Sequence, residues 1–165
     1  MADQIHPTAI IDDGAELGTD VQIGPFCTVD ARVRLGDGCH LMSHVVLSGE
    51  TTIGPGNRFF PFATVGVEPQ DLKFKGERGR LEIGSGNTFR ESCTVHVGTD
   101  GGGGVTRIGN DNFLMAYSHI AHDCQLGDGI IMANAATLAG HVTIMDRATV
   151  GAFSGVHQFC RLGRE

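Results

Sequence analysis

The chain has no tryptophan, a single tyrosine, and no apolar run long enough to span a bilayer. Positive charge is scarce as well: 12 Lys and Arg stand against 19 Asp and Glu, for a net charge of −7. A surface that tracks nucleic-acid phosphates needs a basic stripe, so this balance excludes a nucleic-acid partner, and an anionic ligand must find a local basic patch. The first residues, M-A-D-Q-I-H-P-T-A-I, lack both a basic segment and an apolar stretch, which predicts no export and a cytoplasmic location. Cys27, Cys39, Cys93, Cys124 and Cys160 form no C-x-x-C pair and are odd in number, which argues against a disulfide framework and against structural zinc. What remains is 165 residues that are 41% apolar and carry 25 glycines, which predicts one soluble domain over 1–165 with glycine as punctuation.

The apolar residues repeat every sixth position. Ile5, Ile11, Leu17, Ile23, Val29, Leu35, Leu41, Leu47, Ile53, Phe59 and Val65 follow without a gap. The register returns at Ile83, Phe89 and Val95, and again from Ile108 through Leu114, Ile120, Leu126, Met132, Leu138, Ile144, Val150 and Val156 to Leu162. Two residues before most of these lies a smaller inward partner, and all five cysteines occupy that position, which predicts that they fill the core. A period of six sweeps around every face of a helix but suits short strands joined by three-residue corners, many of which begin with glycine, as at Gly24, Gly36, Gly84 and Gly109. Glycine there is expected to supply an unusual backbone conformation. Three hexads close an 18-residue triangular coil. The sequence therefore predicts an all-β parallel β-helix of about eight coils, roughly 38 Å tall at ~4.8 Å per coil.

Two segments leave this register and are expected as ejected loops, 66–82 and 98–107. The first gathers Lys73, Lys75, Arg78 and Arg80; the second contains G-T-D-G-G-G-G-V-T-R, with no following Lys-Ser/Thr to make it a P-loop. Loops thrown out of a regular solenoid usually carry function.

The histidines follow the same arithmetic. Hexads at Ile120, Leu138 and Val156 lie 18 residues apart, so their corners stack, and the stack gathers His122 with Asp123, then His141, then His157. His119 lies just before, facing outward. Imidazoles beside a carboxylate on one edge form an acid/base group, since a neutral histidine is available near pH 7. The same histidines allow a zinc site of the γ-carbonic-anhydrase kind, although that class pairs ligands five residues apart and here the close pair is three apart. A third possibility is a catalytically silent β-helical scaffold.

The segments I-H-P-T-A-I, I-G-P-F-C, Q-D-L-K-F-K-G-E, S-H-I-A-H-D-C, A-N-A-A-T-L-A-G-H-V and V-H-Q-F-C occur in this order, and with them the chain closely resembles the UDP-N-acetylglucosamine O-acyltransferases of lipid A biosynthesis over essentially its whole length. The resemblance implies a left-handed β-helix that assembles as a homotrimer with the site between neighbouring subunits. It implies acyl transfer from a 3-hydroxyacyl chain on acyl carrier protein to the 3-hydroxyl of UDP-N-acetylglucosamine, with no metal and no cofactor. By the same resemblance the catalytic group is His122 as general base, Asp123 to support its imidazolium, and the backbone N–H of Gly140 for the oxyanion. His119, His141, His157 and Gln158 would hold the sugar nucleotide, Gln70, Asp71 and Lys73 would reach it from the first loop, and His96 would lie near the cleft. Members of that family continue through further coils and a helical C-terminal domain, which the resemblance places outside 1–165.

Overall fold

A computed structural model describes residues 4–164. Among them the chain winds through three parallel sheets in turn, each eight strands deep. The first sheet runs from Gln4–Ile5 to Thr149–Val150, the second from Ile10–Ile11 to Gly155–Val156, and the third from Glu16–Leu17 to Arg161–Leu162. Every pairing is parallel, and in the regular coils each residue meets the one a full coil later, as Gln4 meets Gln22 and His119 meets Thr137. The hexad reading is borne out strand by strand.

Most strands are two residues long, with one residue facing out and the large hexad residue facing in. The inward column is dry from Ile23 to Val150, and Phe59 and Phe89 stack within it at 4.8 Å between ring centroids. Burying one such side chain contributes about 1.5–3 kcal/mol, and each also covers its neighbours above and below.

Three features go beyond the expectation or against it. The smaller inward position is not always apolar: Asn57, Asn87 and Asn112 occupy it in successive coils, fully buried. Asn57 Oδ1 accepts the Asn87 amide, Asn87 Oδ1 accepts that of Asn112, and Asn112 Oδ1 accepts that of Ile130. Their side-chain amides donate to Gly84 O, Gly109 O and Gly127 O of the coil above, so no polar atom of the ladder is left unpaired.

The glycines that open corners are required for a different reason from the one expected. Gly24, Gly36, Gly84 and Gly109 do not have positive φ; a Cβ on any of them would lie within 2.6 Å of the backbone of the next coil. Left-handed backbone falls two residues later, at Asp20, Phe26, His44, Phe62, Tyr117, Asp123 and His141 among others, where the corner must turn. Cys160 is the third departure. Cys27, Cys39, Cys93 and Cys124 are buried as expected, but Cys160, in the last described coil, is exposed.

The ejected segments are shorter than 66–82 and 98–107. Strand Arg80–Ile83 pairs over four residues with both Glu50–Ile53 and Val105–Ile108, burying Leu81 between Thr51 and Thr106. This longer ladder draws Arg80 to Glu82 and Val105 to Arg107 back into the third sheet. The irregular stretches are therefore 68–79 and 97–104, and the second contains a 3-10 turn at Asp100–Gly102. Both leave the corner that follows the second sheet. His122, Asp123 and His141 lie on the same corner in the coils above.

Candidate active site

His122 and Asp123 form the corner after strand His119–Ile120, and Gly140 and His141 form the corner directly above it, after Thr137–Leu138. The His141 amide donates to His122 O, which locks the two corners together. His122 Nδ1 lies 2.8 Å from Asp123 Oδ2, and both residues are buried, with the Asp123 side chain 0% exposed. An ionised carboxylate can only accept, so His122 donates from Nδ1 and its lone pair is on Nε2. That nitrogen faces Gly140: a Cβ at position 140 would lie 2.5 Å from His122 Cε1 and 2.7 Å from Nε2. No protein acceptor claims the Gly140 N–H among the described residues. A basic nitrogen and an uncommitted amide are thus presented at one place.

The other histidines surround this pair. His141 meets the His122 ring edge-on at 5.1 Å and stacks on Phe159 at 4.6 Å, with Nε2 4.0 Å from Asp123 Oδ2. His119 bonds Thr94 Oγ1 at 2.7 Å and meets His96 edge-on at 4.8 Å. Burial, and then the neighbouring His122, pushes the pKa of His119 down. His96 is pushed down to about 4 by burial and by His119 and His122. Both are therefore uncharged at neutral pH, when their rings can make hydrogen bonds without placing cations in the cleft.

The structure brings together His96, His119, His122, Asp123, Gly140 and His141. His157 and Gln158 are exposed in the corner above, with His157 Nδ1 3.4 Å from Gln158 O. In the first loop Gln70 and Lys73 are exposed, and the Lys73 amide donates to Asp71 Oδ1 at 3.0 Å. Among the described residues no hydrogen bond or ion pair joins that loop to the histidines. Phe159, which backs His141, and Thr99, which bonds Asp123, were not singled out by the spacing of the histidines.

Donor atoms of His122, Asp123 and His141 lie within 4.8 Å of one another, the one such set among the described residues. Asp123 Oδ2 already accepts from His122 Nδ1 and from Thr99 Oγ1, and Oδ1 accepts from the Thr99 amide. Both oxygens are thus engaged in hydrogen bonds, Oδ2 in two of them, and His122 and Asp123 are joined as an imidazole–carboxylate pair.

Residues 106–140 match the family model described as bacterial transferase hexapeptide (six repeats). This chain shares the six-residue repeat of that model over those residues. Its fold is the left-handed parallel β-helix of such repeats. It is 52% identical over 162 residues to the acyl-[acyl-carrier-protein]–UDP-N-acetylglucosamine O-acyltransferase of Stenotrophomonas maltophilia, covering 98% of this chain and 62% of that protein. The structure of LpxA from Acinetobacter baumannii superposes with a TM-score of 0.95 at 52% identity, over 96% of this chain and 62% of that one. UDP-N-acetylglucosamine acyltransferase from Campylobacter jejuni gives 0.94 at 44% identity, over 97% and 62%. The hexapeptide chain thus spans about 62% of the length of the relatives it matches. Among the described residues no helix is long and apolar enough to cross a membrane.

Proposed function

We propose that this chain carries the reaction centre of an O-acyltransferase that moves a 3-hydroxyacyl group from acyl carrier protein to the 3-hydroxyl of UDP-N-acetylglucosamine, the opening step of lipid A biosynthesis. The observation that carries the reading is His122, held by Asp123 through Nδ1, with its free Nε2 against the Gly140 backbone. Similarity to proteins named for this reaction supports the substrate class.

His122 Nε2 takes the proton of the sugar hydroxyl as that oxygen attacks the thioester carbonyl. The carbonyl oxygen gains negative charge and meets the Gly140 N–H, a donor of a kind worth about 3–4 kcal/mol in the transition state. Collapse expels the carrier thiolate, and the imidazolium returns the proton to sulfur. Asp123 stabilises the imidazolium between the two transfers.

His119, His141, His157 and Gln158 would hold the sugar nucleotide, and His96 would line the floor. Gln70, Asp71 and Lys73 would reach the substrate of a neighbouring chain in a cytoplasmic homotrimer. The separation of this loop from the histidines supports that assignment, because the loop leaves two coils below His122, about 10 Å down the edge.

Transfer of a 3-hydroxyacyl group from acyl carrier protein to labelled UDP-N-acetylglucosamine tests the reading. His122→Ala is expected to lower kcat by about 10²–10⁴. Gly140→Ala, which drives a methyl into the His122 ring, is expected to lower it comparably in a folded protein. Full activity in His122→Ala sinks the reading.

A further inference from the structure

The glycine-rich second loop lies directly under the corner that carries the dyad, because strand Thr94–His96 pairs with His119–Ile120 above it. Its first turn reaches up to Asp123. The Thr99 amide donates to Asp123 Oδ1 at 2.9 Å, and Thr99 Oγ1 donates to Oδ2 at 2.6 Å. The loop's return strand adds a third contact, where the Asp123 amide donates to Thr106 Oγ1 at 2.8 Å. Thr99 is itself fixed, since its carbonyl accepts from the amides of Gly102 and Gly104. Gly102 then covers the carboxylate so closely that a Cβ there would lie 2.0 Å from Asp123 Cγ. Thr99, Thr106 and Asp123 are all buried.

Asp123 needs this support. It is the second residue of a dyad, has φ of 62°, and shares Oδ2 between two donors. A carboxylate held only by the histidine is free to rotate about its side chain, and a rotated carboxylate no longer fixes which imidazole nitrogen bears the proton. With Oδ1 tied to the Thr99 amide and Oδ2 to its hydroxyl, the carboxylate plane is set and Oδ2 faces His122 Nδ1.

We propose that Thr99, capped by Gly102, is the positioning residue of the dyad: it aims Asp123 so that the neutral His122 ring is protonated at Nδ1 and basic at Nε2. This rests on the reading of His122 as the base, and deepens it. It also gives the glycine run a role, since only a side-chain-free turn can cover the carboxylate so closely.

The test is the ring ¹⁵N–¹H NMR spectrum of His122 near pH 8 without substrate, paired with kinetics. The wild type is expected to show one tautomer, with Nδ1 protonated. Thr99→Val removes the hydroxyl at nearly constant shape; it is expected to give a mixture of tautomers and a kcat lower by about ten- to a hundredfold, with KM within twofold. Thr99→Ser restores both. Gly102→Ala, which pushes the loop off the carboxylate, is expected to reproduce the mixed tautomer by a second route. An unchanged tautomer and kcat in both Thr99→Val and Gly102→Ala overturns the proposal. Activity that survives His122→Ala overturns the base assignment instead, whatever the tautomer of the Thr99 variants.

Discussion

His96 Nδ1 is the one buried side-chain nitrogen or oxygen without a hydrogen bond among the described residues. Its pKa, pushed down to about 4 from an ordinary 6.5, makes that burial a term in folding. Between those values the unfolded chain binds a proton that the folded chain refuses, so the neutral imidazole stabilises the fold fully above pH 6.5 and progressively less as the pH falls toward 4. The amount at stake is on the order of 2–3 kcal/mol. Urea denaturation is expected to show stability falling between pH 7 and 4.5, with a shallower fall in His96→Gln. Equal slopes in the two proteins would remove His96 as the source. At this scale the sequence made the dyad legible, because His122 and Asp123 are neighbours and stacking by 18 brings His141 to them. Thr99 was not legible. Its place under Asp123 depends on how an irregular loop folds back, and no periodicity reports that.

The asparagine ladder shows how an element can be read correctly in outline while part of its filling stays unread. The six-residue period placed the strands containing Phe59, Phe89 and Leu114, yet a polar residue at the inward position breaks the apolar pattern and gives no sign of its partners. The partners are backbone groups of the next coil, which no spacing identifies. Asn87→Ala strips the buried Asn112 amide of its acceptor and the half-buried Gly109 O of its donor. The expected loss is about 2–4 kcal/mol in chemical denaturation, since each stranded group costs roughly 1–3 kcal/mol. A loss below 1 kcal/mol would mean that water or a shifted backbone replaces the ladder. The corner glycines repeat the lesson. Their positions were readable, but their cause lies in the neighbouring coil.

Over the whole molecule, protection rises from the ends toward the middle, as a stack of coils that contact only their neighbours requires. The inward residue Ile5 is 44% exposed in the first coil, and the inward Val156 and Leu162 are only half-buried in the last described one, whereas the inward residues of the central coils are fully covered. The cysteines sample this gradient. Cys160 is exposed, while Cys124 is buried with its thiol pushed up to about 11 by desolvation, and burial likewise raises Cys27, Cys39 and Cys93. A thiolate-selective reagent is expected to label one cysteine in this chain when native and five in denaturant; rapid labelling of a second native thiol would mean that the coils open locally.

The regular coil pairs Val46 with Thr64, but Thr64 pairs with Thr94, and Thr94 with His119. Two coils therefore contain surplus chain of unequal length, and apart from a bulge between Val65 and Val67 the strands on either side still meet in register. Because the excess is discharged at a corner, the ladder does not record how much was added. The edge that carries the dyad behaves as a port: surplus chain enters there while the prism keeps its geometry, and one such insertion, 97–104, is itself what holds Asp123 in place.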